Sequence, residues 1–238
     1  MSYIDEFKKN INSSNKLVSK FLSLEEQVQL KKINKIIFFP SNTERKRVII
    51  NDESNSDYDN DYILNDYISI IKIEYNHKFG EINHRDVLGS LIGLGIRREC
   101  IGDIIVSSDI YVYVIKEMEY FIINNLIKIG KVSVDVSISN YDEIKNIDVN
   151  NYIEDTFIVS SYRLDTIISE RCLLSREKAK QYIVLKNVKI NGIVNVNPDY
   201  LVKIDDLISI HKFGRLIIKE EIKKTKKDKL ILRVLKTK

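Results

Sequence analysis

The 238-residue chain has no Trp, only two Cys and two Pro, and a single Ala, Ala179. Cys100 and Cys172 stand alone, without a Cys-x-x-Cys spacing or a neighbouring His, which argues against a disulfide framework and a structural zinc site. No stretch of about 18 uncharged apolar residues occurs. The opening, Met1 to Lys9, lacks the apolar segment of a signal peptide. The expectation is a cytoplasmic protein with no membrane partner. Signatures of catalysis are missing too: there is no Walker-type phosphate loop, no Gly-x-Ser-x-Gly and no His-Glu-x-x-His. His84 has only Asp86 beside it and reads as a surface or capping residue. No catalytic residue, metal site or cofactor is therefore expected. The lack of Ala against abundant Ile, Lys, Asn and Tyr reads as the bias of an A+T-rich genome, which weakens arguments from helix propensity.

What the chain does have is positive charge, unevenly placed. The net +4 conceals 19 Lys and Arg against 9 Asp and Glu between Ser161 and Lys238, a balance of +10 that leaves −6 for the remainder. A positive potential confined to one end suits a domain that meets phosphates, carried on a body that does not bind polyanions indiscriminately. The run Lys223 to Lys229 by itself reads as a solvated face.

Three domains in an α+β arrangement are expected. Residues 1–66 read as an N-terminal α/β domain. Ile4, Phe7 and Ile11 form one apolar stripe, and Ser23-Leu24-Glu25-Glu26 is a capping box before Val28, Leu30 and Ile33. Two short strands flank Pro40-Ser41-Asn42, with Arg45, Lys46 and Arg47 beside Val48-Ile49-Ile50. Arg45 and Arg47 are candidates either for a secondary RNA contact or for charges that protect an edge strand. Asp52 to Asp66 holds six acidic residues and no basic one, so a mobile loop and a boundary near Tyr67 are expected.

Residues 67–159 are the most regular. Strands are predicted over 68–75, 102–107, 109–115 and 132–139, with helices over 84–94, capped by Asn83 and ended by Gly95, and over 117–129, ended by Gly130. The order βαββαβ is the ferredoxin-like pattern shared with RRM domains. In the last strand Val132, Val134, Val136 and Ile138 alternate with Ser133, Asp135, Ser137 and Ser139, so one face packs on the helices and the other is expected to be polar and open. Tyr111 and Tyr113, two apart on a central strand, would then either stack RNA bases or be covered by a neighbouring domain.

Residues 160–238 read as two short helices followed by a small sheet. Ser161 and Ser175 are the expected N-caps; Leu164, Ile167 and Ile168, then Ala179, Tyr182 and Ile183, are the apolar faces. After them come Val188 and Ile190, an Asn191-Gly192 hairpin turn, and Ile193, Val194 and Val196. Arg176 and Lys180, four apart, share a helix face, with Lys178 on its flank and Arg163 opening the preceding helix. The ordered pieces Arg163-Leu164-Asp165, Leu174-Ser175-Arg176, Lys178-Ala179-Lys180, Val188-Lys189-Ile190-Asn191-Gly192, Asp205-Asp206-Leu207-Ile208-Ser209-Ile210 and Gly214-Arg215 closely resemble the S4, or alpha-L, RNA-binding domain. That resemblance implies structured RNA as the ligand. Arg163, Arg176, Lys178 and Lys180 are the expected phosphate contacts, Lys189 and Arg215 extend the surface, and Asp165 holds an arginine in place.

A second resemblance lies on the middle helix. The stretch His84-Arg85-Asp86-Val87-Leu88-Gly89-Ser90-Leu91-Ile92-Gly93-Leu94-Gly95-Ile96-Arg97-Arg98-Glu99-Cys100-Ile101-Gly102-Asp103-Ile104 is similar to the signature of the YlmH family. These bacterial proteins join an N-terminal domain, an RRM-like middle domain and a C-terminal S4 domain. The resemblance implies association with the ribosome, with the large subunit carrying peptidyl-tRNA as partner during rescue of stalled translation; together with the missing catalytic motifs, the expectation is a monomeric, non-enzymatic factor that binds structured rRNA or tRNA. It also implies a link to cell division. From the residues themselves, Gly89 and Gly93 are expected to let the helix pack closely, and Arg97 and Arg98 are either secondary RNA contacts or part of the fold signature. S4-bearing pseudouridine synthases place a catalytic domain after the RNA module, whereas here only a tail from Lys219 follows. Two other readings remain open: an rRNA- or tRNA-modifying enzyme, and a cell-division scaffold that binds protein.

Overall fold

Alternating apolar residues and well-capped helices account for most of the architecture. In the computed structural model, residues 3–11, 17–31, 33, 36–41, 43–50, 65–144 and 152–237 are described. The chain divides into two compact units, Met1–Val149 and Asn150–Lys238.

In the first unit the elements are α1 (Tyr3–Ile11), α2 (Leu24–Leu30), β1 (Ile36–Phe39), β2 (Arg47–Ile50), β3 (Ile68–Tyr75), α3 (His84–Gly93), β4 (Ile101–Val106), β5 (Ile110–Ile115), α4 (Glu119–Asn125), β6 (Lys128–Ile129), β7 (Val132–Ser139) and α5 (Tyr141–Ile144). The main sheet has the order β4-β5-β3-β7-β6, all antiparallel. Its first four members form the expected split βαββαβ arrangement. Helix α3 starts where Asn83 accepts from the N–H groups of Arg85 and Asp86 at 2.9 and 3.2 Å while Asp86 accepts from Asn83 N–H at 3.0 Å. Gly95, at φ +88°, follows its last turn. Ile71, Ile73, Val112 and Val114 on the strands meet Val87, Leu91 and Ile122 on the helices. Each such burial is worth roughly 1.5–3 kcal/mol.

The second helix is shorter than the sequence predicts. Leu126 leaves the helical region at ψ 84°, and Lys128–Ile129 instead pair with Val132–Ser133 across a turn that holds Gly130 at φ +58°. Leu126 and Ile129 still reach the core, but from a hairpin.

The opposite sheet face departs most from expectation. Phe21, Phe39 and Ile49 pack on Tyr111, Tyr113, Ile68, Ile70 and Ile105, so the tyrosine side is covered by the N-terminal segment. Toward β7 the face keeps an exposed polar row at Ser133, Asp135 and Ser137, with Glu74 of β3 opposite Asp135. Gly102 permits the closest approach: a Cβ there would lie 2.7 Å from the Phe21 ring and 2.8 Å from Tyr113 Cβ. Gly89 and Gly93, expected to be packing glycines, are exposed and would meet nothing within 4 Å. The acidic stretch expected as a mobile loop lies outside the described residues for positions 51–64.

The second unit contains β8 (Tyr152–Val159), α6 (Leu164–Cys172), α7 (Arg176–Val184), β9 (Val188–Ile190), β10 (Ile193–Val194), β11 (Leu207–Ile210), β12 (Gly214–Lys224) and β13 (Leu230–Thr237). Its antiparallel sheet has the order β10-β9-β11-β12-β13-β8. Strand β8 pairs along its whole length with β13, from Tyr152 opposite Thr237 to Val159 opposite Leu230. Phe157 and Val159 join Leu164, Ile167, Ile168, Ala179 and Ile183 in one core. The sequence placed boundaries near 67 and 160; the structure groups 1–149 together and carries 152–159 with the C-terminal sheet. The presumed tail is the long β12–β13 hairpin, whose tip takes up the charge run, with Lys224 paired to Asp228 at 3.4 Å.

Candidate nucleic-acid interface

Two helix N-termini meet at the start of the second unit. The N-cap of α6 is Arg163, not Ser161, and no side chain caps it. Its first N–H groups donate instead to the chain at 198–200: Leu164 N–H to Tyr200 O at 2.8 Å and Asp165 N–H to Pro198 O at 3.0 Å. Backbone pairing thus replaces the expected serine cap. The left-handed Leu173, φ 54°, ends α6, and Ser175 caps α7 as expected, accepting from Lys178 N–H at 3.3 Å.

Asp165, at the start of α6, is wholly buried. Arg163 grips it with a fork, Nε to Oδ1 at 3.1 Å and Nη2 to Oδ2 at 2.9 Å, while Arg176 Nε donates to Oδ2 at 3.1 Å and Thr166 Oγ1 to Oδ1 at 3.2 Å. Burial would raise the pKa of this carboxyl, but the two arginines override it and hold it at about 2. The group is therefore an anion that fixes two cations. Arg163 also pairs with Asp199, a partner that the sequence reading missed and that the 198–200 loop brings alongside. Arg176 is held through Nε alone, and its outer nitrogens have no partner among the described residues. Lys178 is exposed, Lys180 half-buried, and neither forms an ion pair among the described residues. The arrangement can receive an anion: two oriented guanidinium groups with lysines on the following turn.

The other candidates are distributed elsewhere. Lys189 and Arg215 line a groove on the sheet, toward the C-terminal end of α7. Tyr111 and Tyr113 are 7% and 0% exposed beneath the N-terminal segment, so they cannot stack bases. Arg47 is 5% exposed, with its guanidinium donating to the carbonyls of Ser19, at 2.6 Å, and Tyr67. It ties segments of the first unit together and is removed from the set of RNA contacts. Arg45 is half-buried, donating through Nη2 to Phe21 O at 2.8 Å. Arg98 donates to Ile101 O, and burial beside Arg45 lowers its pKa to about 10, which fits a role in the fold. Arg97 remains exposed, 3.5 Å from Glu99. Periodicity and charge could not foresee the placement of Arg45, Arg47, Tyr111 and Tyr113, because it depends on segments distant in sequence.

Comparison with known proteins agrees with the two parts of the chain. Residues 61–143 match the family model described as "Putative RNA-binding domain in YlmH", and residues 163–208 match the S4 domain. A solved structure, "Cell division protein ylmH from Streptococcus pneumoniae", is similar at 23% identity and a TM-score of 0.48, covering 59% of this chain and 89% of that one. The chain is also 32% identical over 187 residues to "Ribosome-associated protein quality control protein P2" of Bacillus subtilis, a match spanning 78% of this chain and 71% of the relative. With an RNA-binding middle domain of the YlmH type, an S4 domain after it and that extent of identity, the chain belongs to the YlmH family.

Proposed function

We propose that the protein binds structured rRNA or tRNA on the large ribosomal subunit in rescue or quality control of stalled translation, as a cytoplasmic monomer acting by binding and not by catalysis. The observation that carries the reading is the buried Asp165 with Arg163 and Arg176 fixed on its two oxygens. A buried carboxylate kept ionised by two arginines holds both guanidinium groups in a geometry suited to phosphate. The name of the Bacillus relative supports the ribosomal setting. Residues 1–149 supply position, and the unit that carries β8, residues 150–238, supplies affinity. Among the described residues no group of three or more His, Cys, Asp or Glu is placed to hold a metal.

Crosslinking in cells followed by sequencing of the bound RNA, with sedimentation of the protein on ribosomal subunits, tests the reading. Crosslinks to large-subunit rRNA or tRNA and nuclease-sensitive co-sedimentation are expected. Association that survives nuclease would favour a protein scaffold, and altered nucleotides in RNA incubated with the pure protein would favour an enzyme.

A further inference from the structure

The second unit has a cationic concavity away from the helix N-termini. An open groove is lined by Lys186, Lys189, Ser209, His211, Lys212 and Arg215, together with Asn187, Ile210 and Gly214, and no carboxylate is among the lining residues. Sheet register builds it: Ser209 on β11 lies opposite Lys189 on β9 and opposite Arg215 on β12. The three side chains therefore share one face, while Val188, Ile190, Ile208, Ile210 and Leu216 fill the core on the other. Adjacent strands are about 4.8 Å apart, so Lys189 and Arg215 rise roughly 10 Å apart on either side of a short hydroxyl side chain.

The flanking lysines come from two turns. Lys186 follows α7 and Lys212 sits at the β11–β12 turn, both with left-handed backbone at φ 62° and 67°. That conformation disfavours a residue with a Cβ and is ordinarily given to Gly or Asn. Leu173, Asn191, Asp205 and Asp228 share that conformation; what sets Lys186 and Lys212 apart is that both border the same groove. The turn at Lys212 is also braced: Tyr182 donates to His211 O, Phe213 stands edge-on to Tyr182 with centroids 5.8 Å apart, and Arg171 Nη2 donates to Phe213 O at 2.6 Å. A helix C-terminus favours one nearby cation, which accounts for Lys186 but not for the others. Lys186, Lys189 and Lys212 form no ion pair among the described residues.

We propose that this groove is a second site for the phosphodiester backbone of RNA, separate from the Arg163–Arg176 cluster. The inference rests on the RNA-binding reading above and extends it. Helix α7, from Arg176 to Val184, separates the two sites by roughly 14 Å at 1.5 Å per residue. An A-form RNA helix of only a few base pairs is too short to reach both of them. Structured RNA of greater length engages both.

The test uses the full-length protein and a structured RNA hairpin titrated at several salt concentrations. The triple variant Lys186→Asn, Lys189→Gln, Lys212→Asn keeps residues compatible with left-handed backbone. Its log–log salt slope should be shallower by roughly two to three units, with affinity lowered at least about tenfold and the melting temperature maintained. Lys189→Glu alone, at an ordinary exposed strand position, guards against misfolding of the triple variant and should flatten the slope by at least about one unit. Parent-like slopes in both variants, with the parent binding RNA, would overturn the groove and leave the helix cluster standing. Failure of the parent itself to bind RNA would remove both. If the variants lose affinity for polyglutamate but keep the parent's RNA slope, the groove belongs to an acidic protein segment and the proposal is wrong.

Discussion

Asp165 Oδ2 accepts from Arg163 Nη2 at 2.9 Å and from Arg176 Nε at 3.1 Å, so one buried oxygen joins the starts of two successive helices. The pairing makes the cationic surface a built feature and gives a test that net charge alone would answer the other way. Asp165→Asn raises the net positive charge by one, which by simple electrostatics should tighten RNA binding. Loss of the shared anion should instead weaken it by about 1–3 kcal/mol, because the arginines are no longer oriented. Stability should fall by about 2–4 kcal/mol, as expected when one partner of a buried charge pair is removed. Calorimetric melting and salt-dependent affinity on the same variant check both effects. Tighter binding would show that orientation of the arginines is irrelevant.

Arg176→Ala should weaken RNA binding by about 1–3 kcal/mol and reduce the salt slope by about one unit. From sequence alone this exposed arginine would be expected to contribute little to folding. Its bond to Asp165 changes that expectation to a loss of about 1.5–3 kcal/mol, the range for a hydrogen bond to a charged group. Denaturant midpoints for the parent and the variant decide between the two.

Acid stability follows from the same carboxylate. Its folded pKa of about 2 lies below the unfolded value of about 3.9. A depressed pKa contributes stability above the unfolded value that is lost as pH falls through the folded one. About 2–3 kcal/mol should therefore disappear from the second unit between about pH 5 and pH 2. Urea unfolding across that range should show the loss in the parent and a flatter profile in Asp165→Asn. Equal profiles would mean that the carboxylate is not held ionised by its arginines.

Gly102→Ala tests the covering of the tyrosine face. The added methyl would press on the Phe21 ring and Tyr113 Cβ at 2.7–2.8 Å, and overpacking of that kind typically costs about 1–3 kcal/mol. The melting temperature of the first unit should drop. An unchanged one would mean that the N-terminal segment does not sit on this face in solution.

Strand β8 gives a prediction about independent folding. A fragment of residues 150–238 should unfold cooperatively, whereas one starting at Ser161 loses Phe157 and Val159 from the core and leaves β13 as an open edge. Circular dichroism and sedimentation of the two fragments should show a folded monomer in the first case and a disordered or aggregating chain in the second. A shorter fragment that melts like the longer one would show that β8 is dispensable.

Local signals carried much of the fold. Asn83 before an Asp three residues on, the alternation from Val132 to Ser139, and Asn191-Gly192 between apolar residues each dictate a structure through interactions within a few positions. Asn191 and Gly192 take φ 51° and 84°, the two positive values that such a turn demands. The Ser23 and Glu26 capping box forms for the same reason. Missed elements had weak local signals: β8 is half-exposed and irregular in polarity, and the charges of β12 and its turn mask a hairpin whose partner is eight residues of apolar-rich β13.

By itself the sequence determined the order of helices and strands, the concentration of cations after residue 160 and the identity of Asp165 as an arginine holder. These depend on spacing, composition and short-range hydrogen bonds. Only the tertiary structure decided which arginine is spent inside: Arg47 looks as basic as Arg163 and Arg176 in sequence, yet carbonyls brought from Ser19 and Tyr67 accept from its guanidinium. It likewise decided that Tyr111 and Tyr113 lie beneath Phe21, and that Lys189, Ser209 and Arg215 stand in one row across three strands. The physical reason is the same in each case: burial and register are set by partners far along the chain, and no local pattern of residues encodes who those partners will be.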